Sequence, residues 1–159
     1  PLKGTVDDLL MDATFKPVES DAHPLLGKPA PEFTLINQNE KPVALSDLTA
    51  NGPAVLVFYY GYYCDHCVAQ LYHLQQDLSH FEALGATIAG ISGDTPETTR
   101  LKMSKNNPFR FLLLFDEGPT AETYRTKLPQ EVDLVGQNLH GTFIVDREGI
   151  VRWAKTGTQ

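Results

Sequence analysis

Cysteine is scarce in this 159-residue chain: Cys64 and Cys67 are the only two, three positions apart. That scarcity excludes a small secreted fold stapled by several disulfides. A bridge between the two would close so short a loop that it would restrain the unfolded chain little, so a purely structural disulfide is a weak reading. Long hydrophobic runs are missing too. The longest, AVLVFYYGYYC and FLLLF, fall far short of the ~20 residues that span a bilayer, so no membrane insertion is expected. Positive charge is thin, with 13 Lys and Arg against 20 Asp and Glu, a net charge of −7 and no basic run. A nucleic-acid partner or an anionic membrane surface therefore has no electrostatic support. No charged-then-apolar leader opens the chain. Its first residue is Pro1, so an upstream leader or anchor could have been removed, and the location is left open between cytoplasmic and, in that case, extracytoplasmic.

What is present is ordinary globular material, 42% apolar and 21% charged, enough for one domain with its own core. Residues 1–25 read as an N-terminal arm and linker, and residues 26–159 as the domain. In the arm, TVDDLLMDA suits a helical turn or two capped by Thr5, and Pro17, Pro24, Pro29 and Pro31 then punctuate an extended connection. FTLIN, the polar turn QNEK and PVAL form a hairpin pattern, and LSDL a helical turn capped by Ser46. Ala54–Tyr60 is a continuous apolar run of the kind buried on both faces of a sheet. Val68, Leu71, Leu78, Phe81 and Leu84 then recur at helical spacing up to Gly85, predicting one long helix. ATIAGIS completes a βαβ unit. TPETTRLKMSKNN predicts a helix capped by Thr95, FLLLF a strand and PTAETYRTKL a short helix. GTFIVD and IVRWA are joined by REG, a hairpin turn at Gly149. The expected class is three-layer α/β with a mixed sheet and a closing antiparallel hairpin.

The chemistry concentrates in YCDHC. Cys64 ends the loop after the central strand and opens the long helix, where unpaired amides and the macrodipole favour a thiolate. Cys67, one turn on, can reach it for an S–S bond. This yields an attacking sulfur at Cys64 and a resolving sulfur at Cys67. Between them His66 favours the Cys64 thiolate and Asp65 opposes it. C-x-x-C alone also fits half of a zinc site. At a strand-to-helix switch, with no second cysteine pair, it points to a redox dithiol.

From about Leu26 to Thr156 the chain resembles the thioredoxin-fold redoxins of the AhpC/TSA type, with peroxiredoxin-like and TlpA-like proteins as neighbours. The resemblance rests on LLGKPAPEFTL, VLVFYYGYYCDHC, ISGDTPETT, LLLFDEGPTAETY and TFIVDREGIVRW. It implies a thioredoxin-like fold, a mixed central sheet flanked by helices, with an N-terminal β-hairpin extension. The activity it implies is thiol-dependent oxidoreduction through Cys64 and Cys67. No prosthetic cofactor is implied, and electrons pass to or from a thiol/disulfide partner protein or a small-molecule thiol. Partner identity, direction of electron flow and oligomeric state are not encoded in these motifs. Three departures stand out. Gly61 occupies the place of the peroxidatic Thr and Val57 that of the Pro in P-x-x-x-T-x-x-C; NLHGTFIVD lacks the family's cis-Pro and nearby Arg, so His140 and Gly141 take that ground; and Tyr63 stands where relatives have Trp. The expectation is thiol–disulfide exchange, with an antioxidant thiol peroxidase using the same cysteines as the alternative.

His66, His73 and His80 recur every seven residues, spacing that puts them on one solvent-facing helix side, roughly 10.5 Å apart along the axis. His140 is different, because the resemblance sets it across from Cys64. Cys64, Cys67 and His140 could then hold copper, as in Sco-like metallochaperones of this fold, although those space their cysteines one residue further apart. Tyr59 and Tyr60 are expected in or beside the core, and Tyr62 and Tyr63 on a partly exposed rim.

Overall fold

The computed structural model describes residues 8, 11–14, 16–103, 108–124 and 140–157. Seven strands form one sheet: β1 (Thr34–Asn37), β2 (Pro42–Ala44), β3 (Ala54–Phe58), β4 (Thr87–Ser92), β5 (Leu112–Phe115), β6 (His140–Val145) and β7 (Val151–Gly157). Their spatial order is β2-β1-β5-β4-β3-β6-β7. The strands β3, β4 and β5 are parallel, while β1 and β6 run antiparallel to them on either side. The N-terminal hairpin thus lengthens the sheet at one edge, and β6–β7 lengthens it at the other.

All five residues of β3 are buried, as the unbroken apolar run requires of a strand covered on both faces. The pleat sorts them. Ala54, Leu56 and Phe58 face a cluster with Phe33, Leu45, Tyr124 and Phe143. Val55, Val57 and Tyr59 face a second cluster with Cys67, Leu71, Phe109 and Leu113. The helix that begins after Cys64 lies on this second face.

Helices α1 (Leu45–Leu48), α2 (Asp65–Gln76), α3 (Leu78–Ala83), α4 (Pro96–Met103) and α5 (Pro119–Thr123) complete the described elements. Two local expectations are corrected. The long helix after Cys64 is two helices, because Asp77 takes φ −94°, ψ 4° between them. Asp is a poor interior helix residue that favours such local breaks. His80 therefore lies on α3, apart from His66 and His73 on α2, and all three are exposed. The turn LSDL is capped by Asp47, whose carboxylate accepts the Ala44 N–H at 2.8 Å, and not by Ser46. Elsewhere the signals hold: the Thr95 hydroxyl accepts the Thr98 N–H at 3.2 Å, and Gly149 turns the last hairpin at φ +83°. The predicted first helical turn lies mostly outside the described residues.

The N-terminal segment lies along β7. The Asp21 N–H donates to the Ala154 carbonyl at 2.7 Å, Trp153 Nε1 donates to Val18, and Gly27 N–H donates to Val151. Lys155 Nζ pairs with Asp21 at 2.7 Å.

Candidate active site

The site forms where β3 ends and α2 begins. Gly61 adopts φ +144°, a value L side chains rarely take. This lets the chain double back so that the Cys64 N–H reaches the Gly61 carbonyl at 3.1 Å. From the end of β4, Asp94 accepts the Tyr62 N–H on Oδ2 at 2.7 Å and pins the loop across the sheet. The sequence reading missed Asp94. Its signal was ISGD: an acid at the carboxyl end of the strand beside β3, where the loops of a parallel pair converge.

Cys64 is the N-cap of α2, half-buried, and its sulfur accepts the Cys67 N–H at 3.3 Å. A free amide of the first turn is thus aimed at the sulfur that gains from carrying charge. Cys67 is completely buried, with its Cα 5.3 Å from that of Cys64, and the two sulfurs form a disulfide. Asp65 and His66, between them, are both exposed.

His140 is the first residue of β6, reached because β6 pairs antiparallel with β3 (Gly141 opposite Phe58). Its Nε2 lies 2.6 Å from Cys67 Sγ. The histidine therefore meets the buried sulfur, and it also lies across from Cys64, where the resemblance placed it. Its ring is 9% exposed and stands edge-on to Tyr60, centroids 5.5 Å apart. Burial, and secondarily the nearby His66, lowers the His140 pKa below the usual imidazole value, which favours the neutral ring. The ligand atoms of Cys64, Cys67 and His140 lie within 4.8 Å of one another, so the cluster weighed from sequence is physically assembled.

The tyrosines divide differently from expectation. Tyr59 is buried, as expected, and Tyr60 is half-buried. Tyr62 is a correction: it is 8% exposed and packs toward Phe109 in the second core cluster. Burial, with Tyr72 and the Asp94 carboxylate adding to it, pushes its phenol up to about 12. Tyr63 alone forms the rim, 63% exposed. Beside the site a groove of about 420 Å³ opens between α2 and the β6–β7 edge, lined by His66, Gln70, His140, Trp153 and Lys155 among others.

A paired dithiol at a strand-to-helix switch, on a mixed sheet with an N-terminal hairpin, defines a thiol-dependent oxidoreductase with a thioredoxin-like fold. The AhpC/TSA family model matches residues 26–154, and the chain belongs to that family. Alkyl hydroperoxide reductase E of Mycobacterium tuberculosis is 32% identical over 133 residues, 82% of this chain and 84% of that protein. Chloroplastic peroxiredoxin Q of Sedum lineare is 33% identical over 128 residues, 79% of this chain and 66% of that protein. The crystal structure of peroxidoxin BcpB from Mycobacterium tuberculosis superposes with a TM-score of 0.76 at 26% identity, covering 84% of this chain and 86% of that one. Membership implies a thiol reductant as redox partner. Among the described residues, no helix is long and apolar enough to cross a membrane.

Proposed function

We propose that Cys64 is the attacking sulfur and Cys67 the resolving sulfur of a dithiol that exchanges with disulfides, its electrons coming from or going to a partner protein or a small-molecule thiol. The observation that carries this reading is the asymmetry of the pair. Cys64 is open to a partner and receives a helix N–H, while Cys67 is enclosed behind it. Exposed Tyr63 gives a partner an aromatic surface beside Cys64. His66 and Asp65 act on the Cys64 thiolate in opposite senses through space. Residues 1–25 serve as an arm to a redoxin domain over 26–159.

A second reading, peroxide reduction by the same pair, is favoured by the names of the relatives. Against it stands Gly61, which occupies the peroxidatic threonine's place with a backbone conformation threonine would not tolerate.

Equilibration at graded thiol-to-disulfide ratios tests the first reading. A sharp two-electron transition in the Cys64–Cys67 bond is expected, and thiols that stay unpaired at every ratio would end it. Mixing the reduced protein with hydrogen peroxide tests the second. Thiol loss no faster than that of a free cysteine removes it.

A further inference from the structure

Cys67 poses a problem that the attacking sulfur does not. To resolve a mixed disulfide it must attack as a thiolate, yet it is 0% exposed and packed among Val57, Tyr59, Leu71 and Leu113. Charge on an enclosed sulfur is costly unless a neighbour takes the proton and holds the balancing charge nearby. Besides Cys64, the polar side-chain atom held against Cys67 Sγ in the described structure is the His140 imidazole nitrogen, at 2.6 Å.

We propose that His140 is the general base of the resolving step, taking the Cys67 proton on Nε2 as Cys67 attacks Cys64. This deepens the dithiol reading and rests on it. In the mixed disulfide Cys64–S–S–R, the proton of Cys67 passes to His140 and the Cys67 sulfur forms a bond to Cys64 Sγ. The Cys64–S–R bond breaks, and its electron pair leaves with R–S⁻, which takes a proton from the imidazolium or from solvent. Both cysteines end oxidised and the partner disulfide reduced, so no further oxidant enters. In the reverse direction the same imidazolium protonates Cys67 as it leaves.

The neighbours of His140 are arranged for this. Tyr60 stacks edge-on from the end of β3, His66 faces it from α2, and Lys155 lines the same groove from β7. Lys155 is paired with Asp21 at 2.7 Å, and among the described residues no carboxylate lines that groove, so burial and the nearby His66 leave the ring neutral and ready to accept a proton. On α2, Gln70 ties the helix to β6 through the Thr142 hydroxyl at 3.4 Å, which holds strand and helix in register around the contact.

The test follows thiolate release from a chromogenic aromatic disulfide mixed with the reduced full chain. A fast phase reports attack by Cys64 and a second phase reports resolution by Cys67. His140→Gln is expected to slow the second phase about 100-fold at neutral pH, at the low end for a positioned acid–base group. In the wild type, the second-phase rate should fall as pH drops through an ionisation that coincides with the His140 imidazole titration followed by NMR. A His140→Gln second phase within threefold of wild type overturns the proposal. Should that variant fail to fold, the wild-type profile decides: the coincident inflection supports the proposal, and a profile set by thiol ionisation alone overturns it. Cys67→Ser separates the two readings. Its single fast phase should persist, and its loss would sink Cys64 as the attacking sulfur rather than His140 as the base.

Discussion

Substituting Gly61 with alanine probes the loop that delivers Cys64. A β-carbon there would sit 2.9 Å from Tyr63 Cε1 and 3.0 Å from Asp94 Oδ1, on a backbone held at φ +144°. The Tyr63 ring is exposed and can swing away. Asp94 cannot withdraw so freely, because its other oxygen holds the Tyr62 N–H at 2.7 Å. A non-glycine residue in such a region costs on the order of 1–3 kcal/mol. Displacing a hydrogen bond to a charged acceptor adds about 1.5–3 kcal/mol if Asp94 moves. Gly149→Ala is the internal control: its φ is +83° and its β-carbon would meet nothing within 4 Å, so only the left-handed penalty of about 1–2 kcal/mol applies. Urea unfolding of the oxidised protein should therefore rank wild type, Gly149→Ala, Gly61→Ala in falling stability. Each kcal/mol lowers Tm by about 2–4 °C in a chain of this size. A Gly61→Ala protein as stable as Gly149→Ala would refute the claim that Asp94 and the loop are mutually locked.

Two further outcomes are expected. Asp116, 2% exposed, accepts the N–H groups of Thr120 at 3.2 Å and Ala121 at 2.8 Å and so caps α5; Asp116→Ala should lower stability by roughly 0.5–2 kcal/mol in urea, with Asp116→Asn losing less. Asp146 is held below the usual carboxylate range, first by the Ile150 N–H and then by Arg152, so the stability it contributes is present above the unfolded carboxylate pKa and lost as pH falls toward its folded one. Asp146→Asn should flatten the acid limb of a stability–pH curve, and an unchanged limb would show that the turn carries no such linkage.

The architecture was legible because its signals are local. Period-two and unbroken apolar runs marked the strands, and Thr95 and Gly149 marked a cap and a turn that both exist. The dithiol was legible for the same reason, since three residues of spacing at a helix start fix its geometry. What escaped depends on sheet register. That His140 sits directly on Cys67, besides lying across from Cys64, follows from Gly141 pairing with Phe58, and no local pattern in NLHGTFIVD encodes that pairing. Asp94 escaped for the same cause, its role being set by the strand next to β3. Tyr62 and Tyr63 are adjacent and chemically identical, so only the turn at Gly61 decides which of them is buried. The helix break at Asp77 was hidden because the apolar spacing runs straight through it.

The contact of the N-terminal segment with β7 bears on what the edge of the sheet offers to another chain. The last strand is an outer strand seven residues long, and such a strand is a template on which another chain can pair. Here Asp21 and Gly27 already bond to its backbone at Ala154 and Val151, and Ser20 accepts the Ala154 N–H at 2.9 Å. At the opposite border β2 is three residues long and begins at Pro42, which has no N–H to offer. A chain trimmed to begin at Leu26 would uncover the Ala154 carbonyl and N–H in the middle of β7. Its weakness would be polymerisation along that border rather than loss of the dithiol.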